Sequence, residues 1–151
     1  MKVEIENYII GETIDFLFNA NVTNGRESRH RTRLIKRLSK HLEEVNEEQN
    51  ELLKKYCKLD DQGNPKVSEE GGKTFYVFKD QESSRKYTED YKELLDEKLI
   101  IDDSNSKEML MSVRNVLDNY NGNLNGRKAI VYEHLCTIFK VDEEIEEEDT
   151  Q

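Results

Sequence analysis

Arg26-Glu27-Ser28-Arg29-His30-Arg31-Thr32-Arg33-Leu34-Ile35-Lys36-Arg37-Leu38-Ser39-Lys40-His41-Leu42-Glu43-Glu44-Val45 is the stretch whose reading decides the fold. No Pro or Gly interrupts the chain from Arg26 to Lys58, and Gly25 stands just before it. Leu34, Leu38, Leu42, Val45, Gln49, Leu52 and Tyr56 recur at steps of three and four, flanked by Ile35 and Leu53. That is one apolar stripe at helical period, and it predicts a single helix over about residues 26–58. At about 1.5 Å per residue such a helix is roughly 50 Å long.

Its charges are divided end from end. Arg26, Arg29, Arg31, Arg33, Lys36, Arg37 and Lys40 stand in the first half, against Glu27 alone, a net +6. Glu43, Glu44, Glu47, Glu48 and Glu51 fill the second half. This order opposes the helix dipole, which favours acids near the N-terminus and bases near the C-terminus.

Outward from this helix the elements are shorter. Residues 2–6 alternate as an edge-type strand, and a helix is expected over Thr13–Asn19 with Ile14, Leu17 and Phe18 on one face. Asn24 or Ser28 suits the start of the long helix as a cap. The turn residues from Asp60 to Pro65 stop it. Val67 and Thr74–Phe78 can pair as a hairpin across Glu69-Glu70-Gly71-Gly72. Helical spacing returns over about 83–98, again after Ser104 or Ser106, and last from Arg127 to Phe139 with Ile130, Val131, Leu135 and Ile138 inward. Leu99-Ile100-Ile101 reads as a strand able to join Val3–Ile5 or Phe75–Phe78.

The expected fold is therefore mainly α (α+β). It has one long helix, three or four shorter ones, and a small β element from Val3–Ile5, Phe75–Phe78 and Leu99–Ile101. Residues 1–140 read as a single helical domain. Residues 141–151 read as an acidic disordered tail, because seven acids with one Ile cannot bury enough apolar surface to order themselves.

With 151 residues, the chain has the size of one domain. The apolar fraction is 34%, the charged fraction 37% and mean hydropathy −0.92, which suits thin helical architecture better than a deep core. A net charge of −10 argues against direct DNA binding by the whole surface, though a local basic site remains open. Cys57 and Cys136 lack CxxC spacing, and the start has no apolar signal segment or membrane span. A reducing host cytoplasm with free, packed thiols is the expectation.

No catalytic signature is visible. His134 and Cys136 at i, i+2 point to different sides of a helix, while His30 and His41 lie three turns apart, so no metal or cofactor is expected. Gly71-Gly72 and the 121–126 loop lack the lysine and strand–helix setting of a phosphate loop. No nucleophile–base pair shows, so the chain reads as a non-enzyme. Two readings of the basic segment stay open. Acids on neighbouring elements neutralise it, or it meets an acidic partner or a phosphate-bearing ligand, since Arg forks carboxylate and phosphate alike.

A second expectation concerns assembly. Burying one Leu contributes about 1.5–3 kcal/mol, and the apolar-poor chain offers few partners for Leu34, Leu38, Leu42, Val45 and Leu52. These five are the expected interface of a homo-oligomer, with a dimer favoured.

Three segments together resemble a known family. They are Gly25-Arg26-Glu27-Ser28-Arg29-His30-Arg31-Thr32-Arg33-Leu34-Ile35-Lys36, then Glu43–Glu48 with Leu52–Tyr56, then Asp61-Gln62-Gly63-Asn64-Pro65. With the strand–helix start and the segment around residues 94–102, they look like small phage and prophage proteins of Gram-positive bacteria, a family of unknown function. The likeness spans roughly residues 1–140 and is specific in the Ser28–Lys36 arginine motif. It implies a viral accessory protein of the host cytoplasm or the virion, and no catalytic residue carries over. Two roles fit that setting. One is virion or tail assembly by protein–protein interaction. The other is anti-defence, by mimicry of nucleic acid or by capture of a phosphate-bearing nucleotide messenger on the arginine stripe.

Overall fold

The structure, a computed structural model, describes residues 1–145. Its elements are β1 (Val3–Glu6), α1 (Ile10–Asn19), α2 (Gly25–Tyr56), β2 (Val67–Glu70), β3 (Lys73–Tyr76), α3 (Gln81–Asp96), β4 (Lys98–Ile101), α4 (Lys107–Asp118) and α5 (Arg127–Ile138). The fold is mainly α with a small β component. Two compact units form, one from Met1–His41 with Lys98–Gln151 and the other from Leu42–Glu97. Helix α2 supplies residues to both.

In the first unit β1 and β4 pair antiparallel, with Val3 opposite Ile101 and Ile5 opposite Leu99. Val3, Ile5 and Ile101 are fully buried, whereas Ile100 is exposed, the alternation of a sheet with one covered face. Helix α5 packs against α1, α4 and β1. The core joins Ile10, Leu17, Leu34, Leu38, Leu110, Leu117, Leu135 and Phe139, all fully buried. Phe16, Tyr120 and Tyr132 cluster beside it, with ring centroids 4.9–5.8 Å apart. The Tyr132 hydroxyl donates to the Leu117 carbonyl at 2.7 Å, and burial pushes its pKa up to about 12. A Cβ at Gly122 would meet the hydroxyl end of the Tyr120 ring, so a larger residue there requires that ring to shift.

The second unit holds the later half of α2, the β2–β3 hairpin and α3. The hairpin turns on Gly71-Gly72, both at positive φ (58° and 78°), as a two-residue turn with the right-handed strand twist requires. Glu69 and Glu70 therefore belong to the strand and not to the turn. The Asp80 carboxylate accepts the Ser83 N–H at 2.7 Å and starts α3 at Gln81. That backbone bond, a side-chain bond with Ser83 and the nearby charges of Lys86 and Lys79 hold the carboxyl below its usual range. Tyr87 stacks on Tyr91 and meets Phe78 at a tilt, Gln49 donates to the Tyr87 hydroxyl at 3.2 Å, and Tyr56 donates to Asp90 at 2.6 Å.

Several expectations change here. The β component is two separate two-stranded sheets, because the 73–76 strand closes on Val67–Glu70 and leaves β4 to β1. Helix α2 ends at Tyr56, since Cys57 enters a bridge with Phe78. Phe18 is 72% exposed, because α1 buries Thr13, Phe16, Leu17 and Ala20 at steps of three and four. Ile130 likewise points outward, while Val131 and Leu135 go in. Asn24 caps α2, accepting the Glu27 N–H at 3.0 Å. Ser106 stands at the start of α4, but its hydroxyl donates to Asp103 instead of capping. The expected disordered tail lies outside the described residues from Glu146 on. Within its described part, Arg114 donates to the carbonyls of Val141 and Glu143.

Both thiols are unpaired. Cys57 is fully buried, and burial raises its pKa against the opposing charge of Lys79. Since the thiolate is the nucleophile, Cys57 is expected to alkylate with iodoacetamide at least about tenfold more slowly in the folded chain than in urea. Equal rates, measured by mass spectrometry, would mean that the segment after α2 opens freely.

Candidate functional site

The seven bases in the first half of α2 fall into two sets. Three hold the fold. Arg26 forms an ion pair with Glu108 at 2.9 Å. Arg31 donates to the Ala20 carbonyl at the end of α1 and reaches the Ser28 hydroxyl. Arg37 donates to Asp103 at 3.2 Å and to the Ser106 hydroxyl at 2.9 Å. The Ser106 hydroxyl, and then Arg37, keep the Asp103 carboxyl below the usual carboxylate range.

The other four, Arg29, Arg33, Lys36 and Lys40, are exposed and make no hydrogen bond or ion pair among the described residues. Their steps of four, three and four place them within about 60° of arc at 100° per residue. That arc faces away from Leu34 and Leu38, which are fully buried. The row is therefore a straight, convex, four-charge face along about 16 Å of helix.

The five residues expected to form an oligomer interface are placed differently. Leu34, Leu38 and Val45 are buried within the chain, and Leu42 and Leu52 are half-buried. Leu34, Leu38 and Val45 thus find within their own chain the cover that an oligomer was expected to supply.

One pairing escaped the sequence reading because 82 residues separate its members. His30 Nδ1 lies 2.6 Å from the Ser112 hydroxyl, tying α2 to α4 at a buried imidazole. A nucleophile–base pair needs more. Its base must be oriented through the second ring nitrogen, and N–H donors must meet an oxyanion. His30 Nε2 has no partner among the described residues, and Ser112 lies inside a helix whose N–H groups serve the preceding turn. The pair reads as a buried polar tie.

The sequence matches no protein-family model and no curated protein, and the fold matches no solved structure.

One cleft lies between α1 and α5 and another between the start of α2 and α4. The first, of about 260 Å³, is floored by Phe16 and Val131. Its rim is compensated, since Arg127 grips Glu12 with two bonds near 3.0 Å. The other, lined by Arg26, Glu27, Glu108 and Ser112, is open and polar. Among the described residues no group of His, Cys, Asp and Glu is placed to hold a metal, and no helix is long and apolar enough to cross a membrane.

Proposed function

We propose that this chain is a non-enzymatic interaction protein that binds an acidic protein surface through the exposed row Arg29, Arg33, Lys36 and Lys40. One observation carries the reading: these four bases bear no load in the fold, while Arg26, Arg31 and Arg37 beside them do. Four uncompensated cations on one face of an acidic chain concentrate its positive potential there, which steers an acidic partner and sets its register. The setting is the phage or prophage one implied by the resemblance, with virion or tail assembly as the role. A phosphate-bearing messenger is the weaker ligand, because small molecules are held in concave pockets and this row is convex.

The double substitution Arg29→Gln/Arg33→Gln tests the reading. It is expected to leave stability within about 0.5 kcal/mol of the unaltered chain. Binding to a fluorescent poly-glutamate peptide at low salt should fall at least about tenfold, as salt-sensitive exposed charges predict. A destabilised variant that binds normally would make the row a structural network and end the proposal.

A further inference from the structure

We infer that the acidic surface met by this row is the other half of α2 on a second copy of the chain, the two helices lying antiparallel. The inference rests on the reading of Arg29, Arg33, Lys36 and Lys40 as a docking surface. Continued along α2, the same face carries Glu43, Glu47 and Glu51, all three exposed. At 100° per residue the seven side chains fall within about 80° of arc. Among these seven the sign changes once, between Lys40 and Glu43.

Such a face is complementary to itself in one orientation. A parallel pair sets bases on bases. An antiparallel pair with its two-fold axis at Lys40 sets bases on acids, because Arg33 and Glu47 each lie seven residues from the axis and Arg29 and Glu51 each eleven. Glu43 of the second copy then falls between Lys36 and Lys40. Symmetry makes every pairing occur twice, as in any isologous interface. Two positions oppose it: Lys40 meets its own copy at the axis, and Lys54, on the same face, ends opposite Arg26. Glu108 already holds the charge of Arg26.

The arrangement also explains why the bases sit at the wrong end of their own helix. In an antiparallel pair they meet the acidic half of the second helix. Exposed ion pairs are individually weak and screened by salt. The expected assembly is accordingly a weak dimer that dissociates as ionic strength rises.

Sedimentation equilibrium of the full chain, with melting curves to confirm folding, tests this. The unaltered chain is expected to dimerise in about 20 mM salt and to run at its monomer mass of 17.8 kDa in about 1 M salt. Arg29→Glu/Arg33→Glu alone and Glu47→Arg/Glu51→Arg alone should each be monomeric at low salt, since each places like charges opposite one another. An equimolar mixture of the two should form a heterodimer, and one chain carrying all four changes should dimerise again. That rescue requires both variants to be folded, so a failure to fold is distinguished from a failure to pair. A monomeric unaltered chain at low salt overturns the inference, as does a dimer that survives in either double variant. If the unaltered chain stays monomeric yet binds poly-glutamate through Arg29 and Arg33, the docking row stands and only its occupant is wrong.

Discussion

Leu38→Ala is expected to lower the stability of the folded chain by about 2–5 kcal/mol, the range for a fully buried Leu whose cavity cannot collapse. Leu38 has no exposed surface, and Leu34, one turn earlier on α2, has none either. They belong to the same buried set as Ile5, Ile10, Leu110 and Leu117. A small chain rich in charge has few apolar residues with which to refill a vacated site, so relaxation is limited. For a domain of this size the loss corresponds to roughly 5–15 °C in melting temperature. The comparison with an interface role is sharp. An interfacial Leu cut to Ala would weaken association and leave the monomer's melt where it was. A near-normal urea midpoint for Leu38→Ala, with association lost, would return Leu38 to the interface.

The long helix was legible because its evidence is local. Thirty-two residues with no internal Gly or Pro and a sustained apolar step admit little else. The Gly71-Gly72 hairpin was legible for the same reason, since its turn chemistry sits between two strand-forming runs. Faces of short helices were harder. Phe16 and Phe18 flank Leu17 symmetrically, and only the position of α5 selects Phe16 for the core. Which strand joins which sheet turned on the short connection that pairs β3 with β2, a matter of loop length and not of strand composition.

The basic segment shows the boundary within a single motif. All seven cations are visible in the sequence, and nothing local separates those that work from those that wait. Arg37 finds Asp103 and Ser106 at separations of 66 and 69 residues, and Arg26 finds Glu108 at 82. Long-range contacts of this kind carry no short-range signature. The idea that neighbouring acids neutralise the stripe and the idea that it binds a partner were posed as rivals. The structure places Arg26, Arg31 and Arg37 in internal contacts and leaves Arg29, Arg33, Lys36 and Lys40 outside them, so each idea applies to its own subset.

Arg31 and Arg33, two positions apart, are therefore expected to respond in opposite ways. Arg33→Ala removes an exposed side chain with no partner among the described residues and should change stability by no more than about 0.5 kcal/mol. Arg31→Ala removes a guanidinium that donates to the Ala20 carbonyl, just past the last residue of α1. A cation at a helix C-terminus is favourable, and a charged hydrogen bond lost there costs about 1.5–3 kcal/mol. Arg31 Nε opposes this, being buried without a partner. Its desolvation offsets part of the gain, so a net loss of about 1–3 kcal/mol is expected on truncation. Arg31→Met should fall between, because it keeps the apolar stem in place while removing both the carbonyl bond and the unmet Nε. Urea denaturation of the three variants measures all of this in one series. Equal losses for Arg31→Ala and Arg33→Ala would mean that the row is uniform, and the division of the seven bases into structural and free sets would fail.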